Sequence, residues 1–402
     1  MRLAVSFTNL GPYHLARLRA LAAALGRKDG TLLAYETAGR EAKYPWERSG
    51  QDEPFEWITL APGAVLEQLP AAACRRMMRE ALERDQPDAV AVAGYVRPEC
   101  LAALSWARRR GRIAILMSES GACDRPRIWW KETIKSRRVR RFDAALVGGP
   151  RHRDYLVELG FPAHRIALGY NAVDNAAFAA RAEAARRVPH ADRTLPPRPF
   201  FLCVARFVSE KNLPALIQAF GRYRRPADPG SRWDLVLCGD GPEAAVIDQA
   251  IRAEGLADAV HRPGFLQAEE LAPFHASAGA FVLPSLSEPW GLVVNEAAAC
   301  GLPLLVSDRA GCVETLVPDP PGTTGWRFNP ADLTAVAAAL GRMAAATEAE
   351  RTAMGRRAAE TVAQWGPDRF AAGMIEAVAM AQNSARVLAR RTSGLRIRRC
   401  RT

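Results

Sequence analysis

Along the first half of the chain, short apolar runs alternate with longer stretches in which apolar residues recur every three or four positions. The runs at 3–7, 31–35, 89–93, 113–117, 144–147 and 166–168 have the length and composition of buried strands. Between them the spacing predicts helices from His14, around 65–84, over 98–110, near 128–141 and over 150–159. Strands alternating with helices call for a parallel sheet covered on both faces. Residues 1–175 therefore read as one Rossmann-like domain.

Composition then shifts. Residues 176–199 are rich in Ala, Arg and Pro and hold no strand pattern, so they read as an interdomain linker, helical at its start. A second alternation fills 200–366: FFLCVA, a helix over 213–223, DLVLC, a helix over 243–254, a short strand near Val260, a helix from Glu269, the stretch 281–317 and two further helices. Residues 367–385 read as a final helix, and 386–402 as a basic tail expected to be disordered. The predicted fold class is α/β, with two tandem Rossmann-like domains. Ligands of such sheets bind at the carboxyl ends of the strands, and two sheets in tandem can face each other there. A deep interdomain cleft is the expected site.

At 402 residues and 49% hydrophobic, the chain can bury a large core. The eight cysteines are scattered without a Cys-x-x-Cys pair, so no disulfide framework or structural metal is signalled. Cys123, Cys203, Cys238, Cys300 and Cys312 lie in or beside apolar or Gly-rich segments and read as small core residues rather than catalytic thiols. The N-terminal apolar run is too short for a signal peptide, and no stretch of about 18 apolar residues occurs. A cytoplasmic protein, or one held peripherally on the inner face of a membrane, is the expectation. The net charge of +12 is regional: 386–402 carries seven arginines and no acid, and 125–153 carries ten basic residues against two acidic ones. Such placement implies a surface contact rather than a generally basic protein.

The most informative stretch is 281–317, FVLPSLSEPWGLVVNEAAACGLPLLVSDRAGCVETLV, which reads strand, loop, helix, strand, loop, helix. Glu288 falls in the loop beyond the first strand, and Glu296 one to two turns into the helix that starts near Gly291. The amides around Trp290, Gly291 and Leu292 would be free donors at a helix start, backed by the helix dipole. An anion site between two carboxylates suits a diphosphate flanked by hydroxyl-bearing groups. A sugar nucleotide is such a molecule. Arg206 and Lys211, in the segment ARFVSEK between a strand and a helix, could both reach a diphosphate, or could be solvated loop charges. Gly239, in CGDGP, either approaches phosphate or only shapes the floor of the site.

In the first half, Gly11 and His14 follow the first strand in NLGPYH, where nucleotide folds carry a phosphate loop, but the dinucleotide fingerprint is absent. His14 could contact ligand or donate a proton, or be structural. Glu119 and Asp124, beyond another strand, could bind acceptor or act in proton transfer, or cap the next helix. Residues 125–141 interleave Ile128, Trp129, Trp130, Ile134 and Val139 with basic side chains. That composition fits an anionic membrane surface, with nucleic acid as the rival and an inward-packed aromatic face as the ordinary alternative.

Taken in order, ARFVSEK, GDGP, PSLSEPWGLVVNEAAACGLP and SDRAGCVE resemble the motif series of retaining glycosyltransferases of family 4. The likeness is specific over about 200–330 and holds only in outline before that. It implies the GT-B fold, a nucleotide-sugar donor and transfer with retention at the anomeric carbon. It also implies that Arg206 and Lys211 hold the diphosphate, that Glu288 contacts donor-sugar hydroxyls and that Glu296 binds the ribose. Backbone at Gly291 and Leu292 would hold phosphate, and the final helix would cross back onto the first domain. Two departures stand out. The family's double glycine near the first strand appears as Gly11 followed by Pro12, and its N-G-V-D segment as NAVD.

The reading is a hexosyltransferase acting on a carbohydrate or lipid-linked acceptor, in polysaccharide or glycolipid synthesis, with Glu288, Arg206 and Lys211 at the chemistry. It expects no metal, since no Asp-x-Asp motif exists to hold a metal-bound diphosphate, and it expects no nucleic-acid partner. The alternatives are a GT-B nucleotide-sugar epimerase or phosphorylase, and a nucleotide-sugar-binding protein without chemistry.

Overall fold

The computed structural model of the chain describes residues 1–41, 52–124, 126–188, 195–225 and 232–399, with side chains described as far as 384. Two compact units emerge. The first comprises Met1–Ala122, Pro126–Ala172 and the chain from Pro367; the second comprises Val173–Gly366 with Cys123 and Asp124.

In the first unit seven strands form a wholly parallel sheet: β1 (Arg2–Phe7), β2 (Thr31–Arg40), β3 (Glu56–Val65), β4 (Ala89–Ala93), β5 (Ile113–Ser118), β6 (Ala144–Val147) and β7 (Ile166–Leu168). Their order is β3-β2-β1-β4-β5-β6-β7. Central strands such as AVAVA and AALV are apolar throughout because helices cover both faces. The helices are α1 (Pro12–Gly26), α2 (Ala71–Asp85), α3 (Pro98–Arg110), α4 (Trp129–Val139), α5 (Pro150–Glu158) and the last helix, α14 (Pro367–Arg399). Phe370, Met374, Ala377, Val378 and Ala381 form a helical stripe buried with Leu15, Leu18 and Leu146, so α14 belongs to this core. Gly373 makes that approach possible, because a Cβ there would lie 2.5 Å from the carbonyl oxygen of Leu168.

The second unit is a six-stranded parallel sheet: β8 (Phe200–Val204), β9 (Asp234–Cys238), β10 (Val260–Gly264), β11 (Ala280–Leu283), β12 (Leu304–Ser307) and β13 (Gly325–Phe328), in the order β10-β9-β8-β11-β12-β13. Around it lie α6 (Asn175–Arg186), α7 (Leu213–Arg224), α8 (Ala244–Ala253), α9 (Ala268–Ser277), α10 (Leu292–Ala299), α11 (Val313–Leu316), α12 (Leu333–Ala345) and α13 (Glu348–Ala363). Both sheets are doubly wound. Strand order reverses between β1 and β4 in one and between β8 and β11 in the other, which makes the loops after those strands the natural ligand sites.

The structure amends the sequence reading in four places. The helix expected from residue 65 begins at Ala71, and β3 precedes it. This strand lies at the sheet edge, is half-exposed and contains Pro62, so its pattern is not that of a buried strand. The linker assigned to 176–199 opens with α6, whose N-terminus is capped by Asp174 accepting from the Ala177 amide at 3.0 Å. Phe178 packs edge-on to His275 of α9, and Arg186 donates to the Cys300 carbonyl, so α6 is part of the second unit and the boundary falls at 172 rather than 175. The tail from 386, expected to be disordered, continues α14 as helical backbone to Arg399, in keeping with the helix propensity of its Ala, Leu and Arg. Finally, Cys123 is exposed, whereas the other described cysteines are buried. Burial pushes the Cys203 and Cys300 thiols up to about 12, which leaves them inert.

Candidate functional site

The switch point of the second sheet lies between two loops that hold each other in place. After β8, a short turn at Ser209–Lys211 ends at Asn212, whose backbone is left-handed (φ 58°). The Asn212 amide donates to the carbonyls of Pro284 (3.3 Å) and Pro330 (2.9 Å), and the Leu286 N–H donates to the Glu210 carbonyl (2.8 Å). The loop after β8 is thereby fastened to the loop after β11. Their meeting brings the Lys211 ammonium against Glu288 Oε2 in an ion pair between largely buried side chains, 16% and 11% exposed. The Ser285 hydroxyl donates to the same oxygen at 3.4 Å. Residues 77 apart in sequence thus form one charged centre. Arg206, half-buried at the start of the first loop, lies in the same segment.

Gly239 and Gly241 explain why that loop sits so close to its neighbour. A Cβ on Gly239 (φ +139°) would fall 1.9 Å from the Ala205 carbonyl oxygen, and one on Gly241 (φ +155°) 2.6 Å from that of Phe207. The Phe207 N–H donates to the Asp240 carbonyl and the Glu243 N–H to the Phe207 carbonyl. These glycines let the turn after β9 approach the loop after β8 at Ala205 and Phe207.

Beyond Glu288 the chain turns into α10 through Gly291 (φ +99°). The loop is braced by residues of the SDRAGCVE segment, with the Gly311 N–H donating to the Glu288 carbonyl and the Cys312 N–H to the Trp290 carbonyl. Trp290 is buried, donates from Nε1 to Asn295 Oδ1 at 2.9 Å and packs near Trp365. That anchors the start of α10, where Leu292 is the first helical residue and the opening amides have no helical acceptor. Glu296 sits in the second turn and is buried.

In the first unit, the loop after β1 is organised by a residue that the sequence reading missed. Glu36 is buried on β2. Its Oε1 accepts from Asn9 Nδ2 and the Leu10 amide (both 3.1 Å), and its Oε2 from Trp57 Nε1 (3.1 Å) and Thr59 (2.8 Å). A lone acidic residue inside an apolar strand was the available signal. His14 accepts from the Gly11 amide through Nδ1 at 3.2 Å and packs tilted against Phe7, with ring centroids 4.3 Å apart. Burial first, then the Arg17 charge, pulls its pKa down to about 3, so the ring is neutral with its proton on Nε2. The neutral ring can offer its Nε2–H as a hydrogen bond. Gly11 has ordinary extended backbone (φ −85°). Arg17, also missed, is a buried cation that donates to the Ala172 carbonyl at 2.8 Å and lies over Tyr170.

Glu119 is exposed and accepts from Asn171 Nδ2 at 2.8 Å. The Asp124 carbonyl accepts from the Ser287 hydroxyl at 3.0 Å. Neither caps the following helix, because α4 starts later, with Ile128 as its N-cap. Among the described residues no group of three or more His, Cys, Asp or Glu could hold a metal ion, and no helix is long and apolar enough to cross a membrane.

Comparison with known proteins follows the same division. Residues 190–361 match the family model described as glycosyl transferases group 1. Over 209 residues the chain is 35% identical to glycogen synthase of Mycobacterium tuberculosis, covering 52% of this chain and 47% of that one. Over 155 residues it is 30% identical to the GDP-mannose-dependent alpha-(1-6)-phosphatidylinositol monomannoside mannosyltransferase of Mycolicibacterium smegmatis, covering 37% of this chain and 39% of that one. The chain spans half or less of the length of the curated relatives it matches. A solved structure, the alpha,alpha-trehalose-phosphate synthase (UDP-forming) of Burkholderia vietnamiensis, aligns with a TM-score of 0.74 at 15% identity, covering 96% of this chain and 99% of that one, and so shares its fold. The chain thus has two Rossmann-like units of GT-B type, and the segment similar to glycosyl transferases group 1, residues 190–361, contains Lys211 and Glu288.

Proposed function

We propose that the chain moves a hexose from a nucleoside-diphosphate sugar to an acceptor hydroxyl, with retention at the anomeric carbon, as the family 4 resemblance implies. The observation that carries this reading is the Lys211–Glu288 pair at the switch point of the second sheet, with Arg206 on one side and the start of α10 on the other. An ammonium has three donors, so pairing with Glu288 leaves two for phosphate oxygens. The contacts from Lys211 and Ser285 both fall on Glu288 Oε2, and in this reading Oε1 would take a donor-sugar hydroxyl. Glu296 would take the ribose hydroxyls.

As the bond from the anomeric carbon to the phosphate oxygen breaks, negative charge grows on the leaving diphosphate. Arg206, Lys211 and the amides at Gly291 and Leu292 would stabilise that charge from fixed positions. The acceptor oxygen bonds to the anomeric carbon on the same face, and its proton passes to the departing phosphate oxygen. The reading uses no metal and no side-chain base. Gly11, His14, Glu119 and Asp124 are assigned to the acceptor side. The relatives' names support a carbohydrate or lipid-linked acceptor, and a place on the inner face of a membrane accords with the second.

The donor base is open, because one relative is named for GDP-mannose and the aligned structure for UDP. A thermal-shift panel of UDP, GDP and ADP sugars selects it, since a ligand of the native state raises the melting point. Release of nucleoside diphosphate from the selected donor should then fall about 10²–10³-fold in Arg206→Ala and Lys211→Ala. Near-wild-type turnover in either variant sinks the assignment. Interconversion of free sugar nucleotides would indicate an epimerase, and binding without turnover a binding protein.

A further inference from the structure

The helix α4 turns its aromatic side outward. Ile128, Trp129, Trp130 and Ile134 are 38%, 80%, 48% and 39% exposed, so the aromatic residues do not pack inward as the ordinary reading of this segment expects. Its inner face is fixed instead by other residues. Val139 is buried, Glu132 accepts from the Tyr155 hydroxyl at 2.9 Å, and Lys135 donates to Glu132 (2.7 Å) and to Tyr155 (2.8 Å). Arg127 adds ion pairs to Glu158 and Glu132. Positions 132, 135 and 139 lie on one side of a helix, and 130, 134 and 137 on the opposite side.

Trp130, Ile134 and Arg137 therefore share the outward face, with Trp129 at the helix start. Lys131, Arg137, Arg140 and Arg141 are exposed around them, and the Lys131 ammonium lies 5.4 Å from the Trp130 ring centroid. Four large apolar side chains at the surface within seven residues, ringed by cations, form one amphipathic patch. An aqueous environment alone gives no reason to expose them together.

We propose that this patch docks the protein on the surface of an anionic lipid bilayer. Charge and chemistry select that occupant. Tryptophan settles at the boundary between headgroups and acyl chains, and lysine and arginine are drawn to anionic headgroups. Ile128 and Ile134 favour a bilayer, whose acyl-chain boundary takes up aliphatic side chains, over single-stranded nucleic acid, which is held by aromatic stacking and cations. The proposal does not depend on the sugar-transfer reading. The patch contains none of the residues assigned to donor or acceptor.

The test is sedimentation of the full chain with sucrose-loaded vesicles at physiological salt, using phosphatidylcholine alone or with about one-third phosphatidylglycerol. Binding to the anionic vesicles should exceed binding to neutral ones at least about tenfold. The double variant W129A/W130A should lose at least about tenfold of that binding, and K131E/R137E should abolish the preference for anionic lipid. Both variants should keep the wild-type melting temperature and wild-type turnover of donor with a water-soluble acceptor, which separates failure of docking from failure of the chemistry. Equal binding of the wild type to both vesicles overturns the proposal. So does undiminished anionic binding by W129A/W130A, or binding to single-stranded RNA with none to vesicles.

Discussion

The two sheets share one winding and use their switch points in opposite ways. Beyond β8 and β11 the second unit gathers Arg206, Lys211 and Glu288, fastens the loops through Asn212, and sets them on two glycines whose backbone a side chain would disrupt. Beyond β1 the first unit buries Glu36, which consumes the Leu10 amide and the Asn9 side chain, and lines the turn with a neutral His14. One loop gathers cations beside a helix start; the other spends its donors on an internal carboxylate. The topology supplies a place for a ligand, and the chemistry of that place comes from the side chains grafted on it.

Several measurements can break this comparison. The largest effect is expected at Gly239→Ala. It requires a Cβ within 1.9 Å of a carbonyl oxygen at φ +139°, and should cost about 4 kcal/mol or more in denaturant unfolding of the second unit. Gly11→Ala, at φ −85°, carries no such backbone strain and should cost much less. If the two cost the same, the loops are not distinct in the way described. Next comes Glu36→Ala, which removes an acceptor shared by four buried or part-buried donors. A loss of about 3 kcal/mol is expected from the first unit, with the second unit's nucleotide affinity unchanged.

Glu288→Gln should show the reverse pattern. Stability should fall by no more than about 3 kcal/mol, the cost of leaving the largely buried Lys211 ammonium without its carboxylate, while donor turnover falls about 100-fold, read from nucleoside-diphosphate release. A large loss of stability with turnover intact would make the Lys211–Glu288 pair a structural one.

The last effect is pH-dependent. Burial, then the Arg17 charge, pulls His14 down to about 3, and burial pulls His275 in the second unit down to about 4, both from 6.5. Unfolding lets each ring take up a proton, so the stability tied to each is complete above about pH 6.5 and lost as pH falls toward the folded value. The slope should approach about 1.4 kcal/mol per pH unit per histidine. His275→Asn should flatten the acid limb for the second unit only, and His14→Asn that for the first. Unchanged slopes would mean the rings are already solvated.

Much of this molecule was legible in its sequence because its strongest signals are local. Eleven of the thirteen strands among the described residues fall on, or within a residue or two of, short apolar runs or the alternation that contains them; the four-residue β13 was not read, and β3 was missed because it is an edge strand carrying a proline. The Arg206, Lys211, Gly239, Glu288 and Gly291 positions could be named because strand, loop and helix starts leave punctuation in the chain. What sequence could not supply were distances between loops. The meeting of Lys211 with Glu288, the bracing of Gly291 by residues 310–312, and the transfer of α6 to the second unit all depend on parallel strands placing remote segments side by side.

Polarity inside the core was equally hidden. Glu36 and Arg17 look like surface charges until the sheet and α1 enclose them and hydrogen bonds make that enclosure tolerable. The outward turn of Trp129 and Trp130 was beyond the sequence for the same reason. Composition marked 125–141 as basic and aromatic, but which side of α4 faces the core was decided by Glu132, Lys135 and Val139 meeting Tyr155 and the sheet. The sequence by itself determined which elements form and which residue types stand at their ends. The tertiary structure decided which of those ends meet, because contact between segments remote in the chain is a property of packing and not of local pattern.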